Sequence, residues 1–570
     1  MVQMVNAEVG EKSLAVMAES APAKVSASSF SGYSTGYMPA YEGGGYTQQT
    51  AMWTPQLQTP DYEISVGRDL AVARSRELNR NAPTIASGIR EIQDHIAGSR
   101  FRLNAKPEID VLPPFFREID EDGVPWDETF QTETEGKFRL YAESPKFFID
   151  AEGRKSLTDI IRLCLSSVTL EGEVFLSIEW VTEGRRPYAT AIQVIDNDRI
   201  SNPDWSPDSK HLKGGIEFDA RGKAVAYHIR TEHPSEVLGD TESTWKRVAA
   251  ENAWGRQQII HVYDEHRPGQ TRGIAALVSA LSHLHMMRHL DKATLQSTVL
   301  KAMLAVSIES DLPMDKIVEL LGGNAEGIDE QIGLVGEAMM GNAAAFNKGA
   351  STLAVDGAVV PHLYPGTRLN AKQVGGDSPI GSGFEASLLR KVASILGLSY
   401  EELSRDFTQT TYSSARAAMS QTYRAMMSLK SRVADRIADA IYRAWLEEAI
   451  GDGKLECMPK WAIGDWLYEG QNLDALANAE WIGASRGQID EKKETDAAIK
   501  RIGAGLSTRG IEAAKLGLDF REIDRQAERE NRSALKRGLR YTTAVMFEEE
   551  DDDDDMEAED EATRARNSAA

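Results

Sequence analysis

Residues 413–450 read SSARAAMSQTYRAMMSLKSRVADRIADAIYRAWLEEAI, and this stretch decides the fold. Its large apolar residues recur at the three- and four-residue spacing of one helix face, which predicts a single long helix. The residues of that face are Met419, Tyr423, Met426, Val433, Ile437, Ile441 and Trp445. At 1.5 Å per residue, the helix would span about 57 Å. One small globule cannot house a straight rod of that length, so we expect the helix to bend, to protrude or to pack on another subunit.

Length and composition place the whole chain in a broad class. The chain has 570 residues and 41% of them are hydrophobic, so we expect about two to four folding units with a sizeable core. No run of about 18 apolar residues occurs, so no membrane-spanning helix is expected. Residues 1–20 lack an apolar stretch, so we expect no secretory signal. Two distant cysteines, Cys164 and Cys457, favour a reducing compartment over a disulfide framework.

The charge of the chain is unevenly distributed. The net charge is -24, and half of it comes from Glu548–Glu561, a segment with twelve acids and no base. A run of like charges is usually disordered and solvated, so we expect a disordered acidic tail. An acidic body argues against tight, sequence-independent binding of DNA, because such binding needs Lys and Arg on the phosphates. It does not exclude DNA that slides past without being held.

The N-terminal half predicts an arm followed by a mixed α+β region. Residues 1–60 are rich in Ala, Ser, Gly and Tyr without a steady period, which indicates a flexible arm, although one that grips a neighbour stays possible. Residues 64–97 have helical spacing that Pro83 interrupts. Between about 155 and 265 we expect one helix at 156–167 and several short strands. The predicted strands are 173–180, 191–195, 224–229 and 259–263.

The C-terminal half is predicted to be mainly helical. We expect a long helix after Arg272-Gly273 that runs to about Met303, and a second helix from Phe384 to Leu396 that ends at Gly397. Short strands, including one at 353–355, are expected between them. A polar stretch, 404–411, separates the second helix from the long one. Further helices are expected over 470–540.

The sequence contains no complete motif for binding a metal ion or a nucleotide phosphate. His285 and His289 have the i, i+4 spacing that places two ligands on one helix face, with His283 nearby, but no Glu follows His285 as the zinc protease motif requires. Packed or solvated histidines are therefore favoured over a metal site. The loop Gly376–Ser382 lacks the lysine of a nucleotide-binding loop.

A nucleophile is not favoured either. The letters of Gly483–Gly487 match the Gly-x-Ser-x-Gly elbow. That elbow needs a buried strand in front of it, and we predict a helix at Leu473–Trp481. We therefore expect a helix-to-helix turn at Gly483–Gly487, no enzyme and no cofactor.

The segment Asp406–Arg416, DFTQTTYSSAR, resembles the signature of the lambda-type family of tailed-phage portal proteins. The other motifs that resemble this family are Ala73–Asn81, Gly172–Phe175, Ile195–Ile200, Arg267–Gly273, Pro365–Thr367, Phe384–Arg390, Ile395–Ser404, Gly505–Arg509 and Glu528–Glu530. Together they cover about residues 65–540, in the family's order. Glu491 stands where the family pattern has a proline after Asp490, and the acidic tail lies outside the pattern.

The resemblance implies a portal fold with an α+β wing, a stem of long helices, a clip and a helical crown. Such proteins form rings, usually dodecamers, at one capsid vertex. The implied divisions are a flexible arm (1–60), the wing (61–271), a stem helix (272–303), the clip (304–378), a second stem helix (379–399), a tunnel loop (400–413), the long wing helix and its return (414–469), the crown (470–546) and the acidic disordered tail (547–570).

The resemblance also implies where DNA passes. The predicted tunnel-loop residues are Ser404, Arg405, Asp406, Phe407, Thr408, Gln409, Thr410 and Thr411, and the family signature continues with Tyr412, Ser413, Ser414, Ala415 and Arg416. One Arg beside one Asp, followed by small hydroxyls, could touch DNA without gripping it. The alternative is that this loop is an ordinary polar connection.

The implied function is a channel for packaging and ejecting double-stranded DNA. The implied partners are other copies of this chain, the large terminase, the major capsid or scaffold protein, and head-completion or tail connector proteins, with no membrane partner. The implied location is the virion, and the host cytoplasm during assembly. Two other classes remain open here: an enzyme on DNA, such as a motor or a nuclease, and a scaffold or adaptor that never contacts DNA. A ring with a central hole in negative-stain images would favour the channel.

Overall fold

The computed structural model describes residues 52–119, 123–236, 244–304, 353–355, 358–360, 382–408, 410–487 and 490–539. The chain divides into two units, residues 1–59 and residues 60–570. In the first unit, residues 52–59 contain no helix or strand. Most of the predicted arm, most of the predicted clip, the loop before Ser382 and the acidic tail lie outside the described residues. The described helices and strands all belong to the second unit.

Helices supply most of the regular structure in the described part of the chain. In chain order they are α1 (Pro60–Ser65), α2 (Arg68–Asn81), α3 (Pro83–Ile96), α4 (Trp126–Ala142), α5 (Leu157–Glu171), α6 (Leu281–Leu304), α7 (Ser382–Leu396), α8 (Tyr400–Ser404), α9 (Tyr412–Leu429), α10 (Arg436–Gly451), α11 (Asp465–Tyr468), α12 (Asn472–Leu476), α13 (Glu491–Gly503), α14 (Arg509–Lys515) and α15 (Phe520–Lys536). None of these described helices is both long and apolar enough to cross a lipid bilayer.

The strands form small antiparallel sheets. They are β1 (Arg102–Ala105), β2 (Glu173–Trp180), β3 (Thr190–Ile195), β4 (Leu212–Lys213), β5 (Ile216–Phe218), β6 (Ala224–Arg230), β7 (Trp245–Ala249), β8 (Ile259–Tyr263), β9 (Leu353–Val355), β10 (Ala358–Val360) and β11 (Ala479–Ile482). One sheet has the order β3-β2-β8 and another the order β4-β5-β6-β7, while β1 pairs with β11 and β9 with β10. The predicted α+β class is confirmed, and so are the four strands predicted between residues 155 and 265.

Local sequence signals explain several helix ends. Pro83 occupies the first turn of α3, where its missing N–H costs nothing, so the predicted interruption is a helix start. Ser156 and Asp159 form a reciprocal capping box at the start of α5. Gly397 follows α7 with φ of 72°, a left-handed conformation that glycine adopts without strain. The predicted stop of the second helix is therefore confirmed.

The long helix predicted over 413–450 is confirmed as α9 and α10, joined by a π-helical segment at Lys430–Asp435. Its two halves differ in burial. In α9 only Thr422 and Met426 are buried, whereas α10 buries most of its residues from Ile437 to Ile450. The rod is thus anchored in the core at one end and exposed at the other.

An aromatic cluster fixes α10 in the core. The Trp445 side chain is fully buried, and its ring centroid lies 5.1 Å from that of Phe138 and 5.2 Å from that of Tyr188. Glu448, in the same part of α10, accepts hydrogen bonds from the backbone N–H groups of Ala189 and Thr190 at 2.6 and 2.8 Å. Helix α10 is therefore held to α4 by ring packing and to β3 by a carboxylate.

Two predicted elements are wrong in part. The predicted helix at 473–481 ends at Leu476, and the residues after it form β11. This strand pairs with β1, and the Trp481 ring stacks on Phe101 at 5.5 Å, so tertiary pairing overrides the local helical pattern. The helix expected directly after Gly273 begins only at Leu281, after a 3-10 turn at Ala276–Ala280.

A buried ion cluster fixes the backbone just before α6. The Glu173 side chain is completely buried at the start of β2. Its carboxylate accepts hydrogen bonds from Arg272 Nε at 2.8 Å and from the Gly273 N–H at 2.9 Å. It also contacts Arg68 Nη2 at 2.5 Å and His261 Nε2 at 3.2 Å. These contacts fix the backbone of residues 272–273 against the sheet before α6 can start.

The two glycines at this junction are required by space. A Cβ on Gly273 would lie 2.2 Å from the Gly172 carbonyl oxygen, and a Cβ on Gly172 would lie 2.2 Å from the backbone of Ile274. Gly172 also has φ of 91°, where other residues are strained. The backbones at Gly172 and at Gly273–Ile274 therefore pack closely at the same junction as the ion cluster.

The charges in the cluster follow from its partners. Burial opposes ionisation of Glu173, but Arg272 and Arg68 outweigh it and hold the pKa of Glu173 well below its usual value. Burial lowers the pKa of His261, although the Glu173 carboxylate opposes this. Near neutral pH the cluster thus contains one carboxylate, two guanidinium groups and a neutral imidazole.

We expect Trp445→Ala to lower the free energy of unfolding by about 3–5 kcal/mol, because the substitution leaves a large cavity in a rigid core. Trp180→Ala is the matched control, since Trp180 is 55% exposed and should cost about 0.5 kcal/mol, up to roughly 1. Chemical denaturation followed by circular dichroism measures both. Equal costs for the two variants would contradict the placement of α10 in the core.

We expect Glu173→Gln to lower the free energy of unfolding by about 3–5 kcal/mol, because two buried guanidinium groups lose their counter-charge. The pKa of Glu173 is lower in the folded than in the unfolded chain, so its stabilisation is present above the unfolded pKa and is lost as pH falls. Urea titrations of both proteins at several pH values test this. The variant should lose part of the acid sensitivity of the wild type.

The matched control is Glu217→Gln, which breaks more exposed pairs with Arg247 and His228. A surface ion pair contributes about 0–1 kcal/mol, so this variant should cost clearly less than Glu173→Gln. If Glu173→Gln were as mild as Glu217→Gln, the buried cluster would not stabilise the junction.

Candidate functional site

The predicted tunnel-loop residues lie between two helices on the surface. Ser404 is the last residue of α8, and Thr411 is the N-cap of α9. Arg405, Asp406, Phe407 and Thr408 are exposed, and Thr410 is half-buried, while Gln409 lies outside the described residues. The broader predicted loop, 400–413, thus contains helix α8 at its start and the first residues of α9 at its end.

Both helices that flank the loop begin with a capping box. Ser399 Oγ accepts a hydrogen bond from the Glu402 N–H at 3.2 Å, and Glu402 accepts one from the Ser399 N–H at 3.1 Å, at the start of α8. Thr411 and Ser414 form the same reciprocal arrangement at the start of α9. The sequence carries this signal, Ser-x-x-Glu and Thr-x-x-Ser, which the helix prediction did not use. The second box fixes where the loop ends, whereas at the loop's start α8 ends on Arg405 in the left-handed conformation.

Hydrogen bonds also hold the interior of the loop. Asp406 Oδ1 accepts from the Thr408 N–H at 3.0 Å and from its Oγ1 at 2.6 Å. These bonds lower the pKa of Asp406, so its carboxylate is ionised at neutral pH. The Phe407 carbonyl accepts from the Thr410 N–H at 3.2 Å, and the Phe407 side chain is 54% exposed. The loop presents an anion, an aromatic ring and small hydroxyls to its surroundings.

The loop's single cation is already engaged. Arg405 follows α8 in the left-handed conformation, with φ of 57°, and its guanidinium forms an ion pair with Glu91 of α3. The Arg405 side chain is 67% exposed and that of Glu91 is 14% exposed. An exposed Arg therefore rests against a mostly buried carboxylate.

The family-signature residues form the first turns of α9. Tyr412, Ser413, Ser414 and Arg416 are exposed, and Ala415 is half-buried. The burial of α9 increases only from Thr422 onward. The loop and the signature thus lie at the exposed end of a rod whose other end is fixed in the core.

Four of the sequence motifs meet at the junction around Glu173. Glu173 itself belongs to Gly172–Phe175, and Arg272 belongs to Arg267–Gly273. Arg76, from Ala73–Asn81, contacts Asp198 at 2.6 Å and Asp196 at 3.3 Å, both from Ile195–Ile200. Sequence reasoning identified these motifs one by one but did not predict that they converge. Each contact spans many residues of chain, and no local signal encodes it.

One group of described residues has a geometry that could hold a metal ion: Asp196, Asp198 and His233. Arg76 already bonds both carboxylates, and it also contacts Glu171 at 2.9 Å. Its guanidinium supplies positive charge where a cation would have to bind, so this group is better explained as an ion-pair network.

The histidines considered from the sequence do not form a convincing site. His283, His285 and His289 are all exposed on α6. The Nε2 atoms of His285 and His289 lie 3.1 Å apart, at hydrogen-bond distance. In the part of the chain that the structure describes, no third ligand joins them in a metal-binding group.

The environment of Ser485 differs from the prediction. A strand, β11, precedes Gly483–Gly487. The predicted helix at Leu473–Trp481 therefore no longer argues against a nucleophile elbow. However, α13 begins only at Glu491, and Ser485 is exposed. The sharp strand-to-helix turn of the elbow is therefore not formed.

The two cysteines are unpaired thiols, as expected from their separation. Burial raises the pKa of the Cys164 thiol to about 12, and burial together with Glu133 raises that of Cys457. Neither thiol is ionised at neutral pH, so neither is an activated nucleophile.

Comparisons with known proteins agree with the motifs. Residues 46–430 match the model of the family described as phage portal protein, lambda family. The portal protein of Escherichia phage N15 is 33% identical over 517 residues, which are 90% of this chain and 93% of that protein. Portal protein B of Escherichia phage lambda is 34% identical over 506 residues, 88% of this chain and 91% of that protein.

Solved structures show a weaker likeness. A chain from the neck of an empty GTA particle, computed with C6 symmetry, has a TM-score of 0.36 and 14% identity, with 80% of this chain and 99% of that chain covered. A chain from the neck of a native GTA particle, computed with C12 symmetry, has a TM-score of 0.33 and 15% identity at the same coverage.

The family match and the two phage relatives each cover most of this chain, and they exclude one of the protein classes that the sequence left open. An enzyme on DNA is excluded, because the family is one of structural proteins. This chain belongs to the lambda family of phage portal proteins and is a structural component of the virion.

Proposed function

We propose that copies of this chain form a closed ring at one capsid vertex, and that double-stranded DNA is packaged and ejected through its central channel. The observation that carries the proposal is the loop at residues 404–411, which is exposed at its tip and lies between two helices that each begin with a capping box. Such a loop contributes little to the core but has a defined position, which is what a constriction around moving DNA requires.

The charges of the loop support a channel that does not hold DNA. Each Lys or Arg that contacts a phosphate strengthens binding and adds to its salt dependence. In this loop Arg405 is paired with Glu91, and Asp406 is ionised. A ring of such loops would present repulsive or neutral groups to the phosphates and would leave bound states shallow.

Exposed apolar residues support self-association. Helices α13, α14 and α15 bury only Ala534 among their residues. The exposed large apolar residues of this region are Ile499, Leu506, Ile511, Leu516, Leu518, Ile523, Leu535 and Leu539. Large apolar residues that are left exposed in one region of a chain are typical of an interface with another protein. We assign it to contacts between neighbouring copies in the proposed crown, residues 470–546.

The remaining assignments follow the family. The proposed wing is 61–271, the stem helices lie within 272–303 and 379–399, and 414–469 forms the long wing helix and its return. The proposed clip, 304–378, would dock the large terminase. Other surfaces would bind the major capsid or scaffold protein and the head-completion or tail connector proteins. Assembly would take place in the host cytoplasm, and no cofactor is needed.

We expect the purified protein to sediment as a closed oligomer whose mass is independent of concentration in the micromolar range, because a cyclic assembly leaves no free interface. Negative-stain images should show a central hole. Truncation after Phe547 should leave the rings intact, since like charges in a row add little to folding or assembly. A stable monomer at micromolar concentration would refute the ring.

We expect Asp406→Lys to slow or stall DNA packaging while rings still form. The substitution replaces a ring of anions with a ring of cations, so each new phosphate contact should steepen the salt dependence of DNA binding by roughly one unit of slope. A packaging assay with imaging of the same preparation measures both effects.

Asp406→Asn is the matched control, because it removes the anion without adding a cation. It should package far better than Asp406→Lys. Normal packaging by Asp406→Lys would mean that the loop is only a connection, and broken rings would mean that it is a structural element.

A further inference from the structure

Helix α8 approaches α3 closely at one residue, Gly88. A Cβ on Gly88 would lie 2.9 Å from Cδ1 of Leu396 in α7 and 2.9 Å from Cδ1 of Leu403 in α8, so both leucine side chains would have to shift for a larger residue. Leu403 is buried in this contact. The Leu403 side chain of α8 therefore packs directly against α3 at Gly88.

This packing places Glu91 of α3 near the end of α8. Glu91 lies three residues after Gly88 and hence on the same face of α3. Arg405, in its left-handed conformation at the end of α8, turns the chain so that its guanidinium reaches the Glu91 carboxylate. The pair thus depends on the helix contact as well as on the loop's own Arg405.

We propose that Glu91, a residue outside the loop, masks Arg405 and so prevents the channel constriction from gripping the DNA backbone. This inference rests on the proposed function. It assigns Glu91 a role in setting how strongly the loop interacts with phosphate, in addition to its packing against α8.

Other groups near Arg405 do not replace Glu91. Glu402 accepts hydrogen bonds from the Ser399 N–H at 3.1 Å and from Thr422 Oγ1 at 2.6 Å, so its carboxylate is committed to capping α8 and joining it to α9. His95 Nε2 lies 3.7 Å from Glu402 and 3.9 Å from Glu91, between the two acids. Asp406 bonds its own loop through Thr408.

The pair is suited to this role because it adds little to stability. An ion pair with one partner two-thirds exposed is screened by water and contributes little to the free energy of folding. Its effect on a passing polyanion is larger, because an unpaired Arg in every copy would offer a ring of phosphate contacts. A phosphate that approaches Arg405 therefore competes with the Glu91 carboxylate for the guanidinium.

The test uses assembled rings of the full chain and a linear double-stranded DNA of mixed sequence. Binding is measured by fluorescence anisotropy across a salt series for Glu91→Gln, Arg405→Ala, the double variant and Asp406→Lys. We expect Glu91→Gln to bind DNA several-fold more tightly, with a salt slope steeper by roughly one unit for each arginine that reaches a phosphate. The double variant should return to the level of Arg405→Ala. Glu77→Gln, which breaks the pair with Arg288 between α2 and α6, controls for the loss of one negative charge elsewhere.

The outcomes separate this inference from the proposed function. If Asp406→Lys tightens binding and Glu91→Gln does not, the masking is refuted and the loop placement stands. If neither variant changes binding, the loop does not meet DNA and both fail. Should Glu91→Gln not assemble, Arg405→Ala alone decides: a masked cation can be removed with little effect on DNA binding, whereas weaker binding would show that Arg405 is already a free contact and would overturn the proposal.

Discussion

The rest of the structure depends on the buried carboxylate of Glu173, which balances two guanidinium groups. Arg68 begins α2 and Arg272 precedes α6, so one anion ties the first long helices to the sheet and to the residues before α6. Unpaired charges are far more costly in a buried site than at the surface. With Glu173 in place both arginines are held, whereas without it Arg272 loses its ion pair and Arg68 keeps the pair with the exposed Asp69.

Helices α2 and α3 connect the contacts around Glu173 to the loop at residues 404–411. Helix α2 leads from Arg68 through Ala82 directly into α3, and α3 carries Gly88 and Glu91, on which α8 and Arg405 rest. From the other side, Trp445 and Glu448 fix α10, and the continuous rod carries that position out to Thr411. The two ends of the loop are thus positioned by separate anchors. An exposed segment with little packing of its own can still be placed accurately in this way.

Periodicity and caps made much of the fold predictable from the sequence. The helical spacing of 413–450 and the strand-like run at 173–180 are local signals, and the structure contains the corresponding helix and strand. The π-helical segment at Lys430–Asp435 has no such signal, and β11 exists only because β1 is available to pair with it. The pairing of Arg405 with Glu91 joins residues more than 300 positions apart. The sequence could therefore indicate which residues form the loop, but not which side chain neutralises its cation.

Net charge is a poor guide to what DNA meets in this protein. Half of the charge of -24 lies in residues 548–561, and at physiological salt exposed charges are screened beyond about 8 Å. Only groups within that distance of a phosphate would affect its passage. In the proposed tunnel loop, 404–411, the charged residues are Arg405 and Asp406, and together with Glu91, the partner of Arg405, they sum to one negative charge in each copy. Because Arg405 is 67% exposed while Glu91 is mostly buried, the balance depends on a pair that could open without unfolding the helices beneath it. Whether the proposed constriction repels DNA or holds it would thus be decided by local pairing, which the acidity of the whole chain cannot reveal.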